Sequence, residues 1–173
     1  MNVNAFDAAV DRAFDRVRGP ALDGFMYRLS SAADHSLLWH AAAAAQTLVR
    51  GGDVRQVARF SAAIGVESAV TNGVVKSWFG RRRPVEYTEV EWQHGLRRPI
   101  TSSFPSGHAT AAFCAATLLG GGVGWYSLAT VVAATRVYVR LHHASDVLVG
   151  AGLGLVLGCA MRPLVRWGES PRS

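Results

Sequence analysis

Lysine is almost missing from this sequence. Of its 18 basic residues one is Lys76 and the other 17 are arginines. With 27 alanines and 18 glycines, the bias is that of a GC-rich coding sequence, so the arginine excess is not by itself a nucleic-acid signature. Charge is scarce as well, at 17% of residues against about a quarter in an ordinary soluble domain. Half the residues are hydrophobic and the mean hydropathy is +0.16. That excludes a disordered tail. Cysteine is limited to Cys114 and Cys159, both inside apolar runs. They read as small core residues, which excludes a disulfide framework and a cysteine zinc site. The first 18 residues hold Asp7, Asp11 and Asp15 and no apolar core, unlike a secretory signal peptide. A net charge of +6 calls for an anionic lipid or a phosphate-bearing substrate. It does not call for nucleic acid, because the charges form no continuous stripe.

What is present is a set of long uncharged runs. Pro99 to Thr135 is 37 residues without Asp, Glu, Lys or Arg. A bilayer-spanning helix needs about 20 mostly apolar residues, so this run predicts two spans, split at the glycine cluster 120–124. Shorter stretches cover His35 to Val49, Phe60 to Val75 (interrupted by Glu67) and Val147 to Met161. Flanking arginines extend their reach by snorkelling. Phe6, Val10, Phe14 and Val17 recur at helical spacing and predict an amphipathic helix ending at Gly19-Pro20. The expected fold is all-α. It is a polytopic membrane bundle of about five transmembrane helices plus the N-terminal amphipathic helix, in one domain over residues 1–173. The length suits a single domain.

The one long polar stretch, Gly80 to Ser103, and its flanks hold the chemistry. Lys76 ends an apolar helix, and Arg83-Pro84 follows seven residues later, beside Arg81 and Arg82. Pro105-Ser106-Gly107-His108 opens the next apolar run. Free backbone N–H groups at such a helix start form a ready anion site. Arg136, His142, His143 and Asp146 close the following one. If the runs are consecutive antiparallel helices, Lys76, Arg83, His108, Arg136, His142 and Asp146 converge at one rim of the bundle. Cations at that density repel unless an anion sits among them, and polar groups at such a depth usually mark a site.

These three pieces, in this order and spacing, resemble the three-part signature of the type 2 phosphatidic acid phosphatase (PAP2) superfamily. Thr135 stands where that family usually has serine, and it keeps the hydroxyl. The resemblance implies a membrane lipid phosphate phosphatase working through a phosphohistidine. In that reading Lys76, Arg83 and Arg136 bind the phosphate oxygens, with Ser106 and the Gly107 N–H adding hydrogen bonds. His142 attacks phosphorus. Asp146 holds the other nitrogen of His142. His108 protonates the leaving oxygen and then activates water. No metal and no cofactor is implied. The partners are the lipid phosphate and the bilayer, and no oligomeric state follows.

Substrate candidates are a polyprenyl pyrophosphate, phosphatidylglycerophosphate, phosphatidic acid, and a polyprenyl-phosphoryl sugar phosphate of the kind used in cell-wall arabinan synthesis. Two other functions use the same anion pocket. One is a vanadate-dependent haloperoxidase-like enzyme with vanadate fixed at His142. The other is a non-enzymatic binder of lipid phosphates. Arg81 and Arg82 read as snorkelling or positive-inside residues or as contacts to lipid phosphates, and His143 as structural. Glu67 reads as facing the bundle and pairing with a hydroxyl. His35, His40 and His94 belong to no constellation. Of the 18 basic residues, 12 fall on the site-bearing side and six on the other. The positive-inside rule then places an integral protein of the bacterial plasma membrane with its site toward the cytoplasm.

Overall fold

The computed structural model describes residues 2–84 and 101–165. Most of the polar loop, including His94, lies outside the described residues. Among the described residues there is no strand, and seven α-helices form one bundle. They are α1 (Val3–Asp15), α2 (Pro20–Ala32), α3 (Leu37–Arg50), α4 (Val54–Ser68), α5 (Gly107–Leu118), α6 (Val123–Tyr138) and α7 (Ala144–Met161). The helix α4 continues through a π-helical turn, Ala69–Val74, into a 3-10 turn, Val75–Trp78.

α5 is the hub. It packs on α7, α6 and α4, and Ala109, Ala112, Cys114, Ala115, Ala116 and Leu118 are all buried. Small side chains let neighbouring backbones approach closely. α7 answers with Gly150, Gly154 and Gly158, one on each successive turn. A Cβ at Gly154 would lie 2.3 Å from the Thr110 carbonyl oxygen, and one at Gly150 would lie 2.6 Å from that of Ser106. The stripe therefore sets how deeply the start of α5 sits against the start of α7.

Sequence periodicity anticipates the N-terminal helix but not all of its placement. α1 stops at Asp15, before Gly19-Pro20, because Pro20 opens a separate helix, α2. Phe6, Val10 and Phe14 pack on the bundle as their spacing implies. Asp7, assigned by the same periodicity to the polar face, is only 4% exposed. α2 was not anticipated, since its mixed sequence carries no clean stripe. It packs on α6, where the Tyr138 hydroxyl donates to Asp23 (2.5 Å).

Cys114 is buried as expected, but Cys159 is exposed on the outer face of α7. An apolar run shows that a residue lies in an apolar helix; it does not tell core from outward surface. Among the described residues, one helical stretch is long and apolar enough to cross a bilayer, Ala144–Leu164. α5, with 12 residues, rises about 18 Å at 1.5 Å per residue. The break in the long uncharged run comes at residues 119–122, as the glycines indicate.

Candidate active site

Each of the chain segments with site residues reaches the same end of the bundle. Lys76 arrives on the 3-10 turn after α4. Gly107 and His108 open α5, Arg136 closes α6, and His142 lies in the link from α6 to α7. They line one cavity of ≈ 420 Å³ with Arg83, Asp34, Glu67 and Asn72. Five of the six residues expected to converge line this cavity, and Asp146 lies behind His142, 3.8 Å from its Nδ1.

His142 is almost fully buried, and its Nδ1 lies 2.6 Å from the Ser103 carbonyl oxygen. A carbonyl can only accept, so Nδ1 carries the hydrogen and Nε2 carries the lone pair. Nε2 is 3.3 Å from Arg83 Nη1. Asp146 Oδ2 lies 3.8 Å from Nδ1, an ion-pair distance and not a hydrogen bond. The resemblance gives that ring hydrogen to Asp146; in this geometry Ser103 takes it. Asp146 itself is fully buried. It accepts from the His143 N–H (2.9 Å) and from Arg81 Nη1 (2.5 Å).

The cations are held in different ways. Arg83 Nη1 donates to the Leu141 carbonyl (2.7 Å), and Nη2 donates to that of Thr101 (3.1 Å). Arg136 donates to the Ser30 hydroxyl and sits 3.8 Å from Asp34 Oδ1. Its Nε is buried and has no hydrogen-bond partner among the described residues. A buried donor left unpaired costs about 1–3 kcal/mol. Lys76 is buried, which lowers its ammonium pKa to about 8, with Arg83 and Arg136 pushing the same way. Burial likewise drives the His142 imidazole down to about 3, helped by Arg136, Arg83 and Lys76 and opposed by Asp146. His142 is therefore neutral at physiological pH, as a nucleophile must be.

Ser106 and Gly107 part company. Ser106 is fully buried, and its hydroxyl caps α5 by accepting from the Ala109 N–H (3.4 Å). Gly107 lines the cavity. A Cβ on it would lie 2.9 Å from Asn72 Oδ1 and 3.6 Å from Lys76 Nζ, so glycine keeps the anion side open. Thr135 turns its hydroxyl into its own helix, onto the Val132 carbonyl (2.6 Å).

The PAP2 superfamily profile matches residues 56–169. The chain belongs to the PAP2 superfamily. A stretch of 80 residues is 40% identical to a lipid A 1-phosphatase of Porphyromonas gingivalis, covering 39% of this chain and 18% of that protein. Over 63 residues the chain is 40% identical to the decaprenylphosphoryl-5-phosphoribose phosphatase of Mycobacterium tuberculosis, covering 35% of this chain and 36% of that one. It thus spans well under half the length of the curated relatives it matches.

Two solved PAP2-type folds are similar. One is a transmembrane PAP2-type phosphatidylglycerolphosphate phosphatase from Bacillus subtilis, with a TM-score of 0.74 and 24% identity, over 93% of this chain and 85% of that chain. The other is LpxE of Aquifex aeolicus, at 0.67 and 24%, over 89% and 93%.

Several residues of the site lie before the PAP2 match begins. Ser30 of α2 holds Arg136. Asp34, between α2 and α3, lies 2.7 Å from His108 Nε2. Asp7 of α1 accepts from Arg81 Nη2 (2.7 Å), the Ser145 N–H (2.8 Å) and the Ser145 hydroxyl (2.9 Å). Arg81 thus bridges Asp7 and Asp146 inside the protein and is not a free snorkelling residue; Arg82 is the exposed one.

His35, read as belonging to no constellation, lies in the cavity wall beside Asp34. His40 pairs with Ser61 (3.0 Å) across α3 and α4. Glu67 faces the bundle and accepts from the Thr71 hydroxyl (3.0 Å), the type of pairing its position implies. His143 caps α7 through a reciprocal bond with its first turn. A signal for Asp34 was present: it breaks the apolar pattern in the polar stretch 30–36.

Proposed function

We propose that this chain is a metal-independent lipid phosphate phosphatase acting through a phosphohistidine. The observation that carries the reading is the cavity wall itself. His142, whose Nε2 carries the lone pair, lines one space with Lys76, Arg83 and Arg136. A phosphate there meets a nucleophile on one side and cations on the others.

In the first step Nε2 attacks phosphorus and the bond to the leaving oxygen breaks. His108 gives that oxygen its proton. Asp146 and the Ser103 carbonyl favour the positive charge that forms on the His142 ring. In the second step His108 takes a proton from water, the hydroxyl oxygen attacks phosphorus, and inorganic phosphate leaves with the electrons of the P–N bond returning to Nε2. Lys76, Arg83, Arg136 and the Gly107 N–H stabilise the charge on the equatorial oxygens in both steps.

Outward-facing apolar side chains on α3, α4, α6 and α7, among them Leu48, Val66, Val131, Leu148 and Val156, support placement in a bilayer. In this reading the chain is one integral domain of the bacterial plasma membrane with five spans: α3, α4 with its π turn, α5, α6 and α7. The site faces the cytoplasm. The substrate is a phosphate monoester or pyrophosphate on a polyprenyl or glycerolipid carrier, with a decaprenylphosphoryl-5-phosphoribose type of lipid as the specific candidate.

The test is phosphate release by the purified protein in detergent from a panel of these lipids. Release is expected to persist in EDTA, to be inhibited by vanadate, and to vanish in a folded His142→Ala variant. Activity lost to chelation and restored by a divalent ion would overturn the mechanism.

A further inference from the structure

We propose that Asp34 is the positioning residue of a second acid–base dyad, Asp34–His108, which keeps His108 able to deliver a proton to the leaving oxygen. This rests on the phosphatase reading above. Asp34 lies in the one-turn 3-10 helix Asp34–Ser36, where the chain turns from α2 into α3. His35 (φ 52°) and Ser36 (φ 58°) both occupy the left-handed region, which non-glycine residues enter at a cost of about 1–3 kcal/mol each when strained. The bend sets Asp34 in the cavity wall, with Oδ1 2.7 Å from His108 Nε2 and 3.8 Å from Arg136 Nη1.

Electrostatics supplies the reason for a carboxylate at this point. Burial is the largest influence against a proton on His108, and the charged groups acting on it are Asp34 from the α2–α3 turn, Arg136 from α6 and Lys76 from the turn after α4. Two of the three are cations, and both disfavour a proton on the ring. They cannot be removed, because they bind the phosphate. A general acid must nevertheless be protonated when the P–O bond breaks. Asp34 is the single anion among these groups, and it touches His108 Nε2 at 2.7 Å. Burial raises the pKa of Asp34, but the hydrogen bond and charge of His108, with Arg136 and His35, outweigh it and hold the group below the usual carboxylate range. It therefore stays ionised while His108 gains and loses its proton.

The bond also assigns the nitrogens. With Nε2–H held by Asp34, Nδ1 is left for the reaction. In the first step the Nδ1 proton goes to the leaving oxygen as the P–O bond breaks. In the second, Nδ1 accepts a proton from water as the new P–O bond forms, which restores the imidazolium. Asp34 carries no net proton through the cycle. The PAP2 match begins at residue 56, so this half of the dyad is supplied by a part of the chain outside it.

The experiment compares Asp34→Asn and Asp34→Glu with wild type on two phosphates. One has a good leaving group, p-nitrophenyl phosphate, and one a poor leaving group, dioctanoyl phosphatidic acid. Asp34→Asn is expected to lose about 10²-fold in kcat on the alkyl ester and far less on the aryl ester. The alkaline limb of its kcat/KM profile should move down by about one unit or more. Asp34→Glu should recover most of both.

Equal losses on the two substrates with the alkaline limb unmoved would overturn the dyad and leave Asp34 a packing residue. Where Asp34→Asn fails to fold by circular dichroism, Asp34→Ser is read on the same two criteria. A wild-type protein that hydrolyses neither ester overturns the phosphatase reading and the dyad together. An active wild type with an indifferent Asp34 overturns the dyad alone.

Discussion

His142 owes its tautomer to a backbone carbonyl, and this changes what its aspartate is worth. Where a carboxylate alone fixes the ring hydrogen of a catalytic histidine, its amide variant costs about 10⁴-fold because the wrong tautomer forms. Here Ser103 O holds Nδ1–H at 2.6 Å, and Asp146 stands 3.8 Å off. Asp146→Asn should therefore keep the tautomer and lose only charge stabilisation, with kcat down about 10- to 100-fold. Single-turnover phosphate release measures it, and a loss near 10⁴-fold would return the orienting role to Asp146.

Lys76 sets a second residue-scale expectation. Its pKa is lowered to about 8, so the cation is present below that pH and is lost above it. Inorganic phosphate should therefore inhibit wild type more weakly as the pH rises through that value. Lys76→Arg keeps its charge and should hold phosphate binding to higher pH, as a pH series of inhibition constants would show. The cavity-lining set Lys76, Arg83, His108, Arg136 and His142 was legible because chemistry fixes residue type and spacing, whereas His35 and Arg81 were not. Ser103 was not, since any residue supplies a carbonyl.

At the level of elements, the depth at which α5 meets α7 is set by missing side chains. Gly154→Leu would drive a Cβ to within 2.3 Å of the Thr110 carbonyl, where backbone offers no escape. It should destabilise the protein by several kcal/mol and abolish phosphate release, although it touches no site residue. A thermal melt in detergent checks this; a melting point within a degree or two of wild type would contradict it. The uncharged runs and the glycine break revealed the helices around the site. They did not reveal α2, whose residues alternate between partners and solvent. Nor did they reveal the burial of Asp7, which sits one residue from the apolar stripe of α1. Its partner Arg81 comes from a segment 74 residues away, a pairing that only tertiary contact decides.

For the molecule as a whole, the direction in which the site end points can be read at the C-terminus. A cytoplasm-facing site with five spans leaves the C-terminus outside. Alkaline phosphatase fused after Ser173 should then be active, and green fluorescent protein at the same point dark. The reverse pair of results would turn the site outward or change the span count by one.

One consequence concerns how such a chain can be recombined. The three motifs sit within residues 76–146, yet the groups gripping their side chains from behind come from Asp7, Ser30 and Asp34. A chimera that keeps this chain from residue 56 onward and takes its first 55 residues from another PAP2 protein would preserve every signature residue. It would still leave Arg81 with only one of its two acids and take from Arg136 and His108 the Ser30 and Asp34 groups that hold them, unless the donor segment happened to bring an acid, a hydroxyl and an acid to those same three points. Domain shuffling at the motif boundary is closed to this protein; the shuffled unit has to include its N-terminal third.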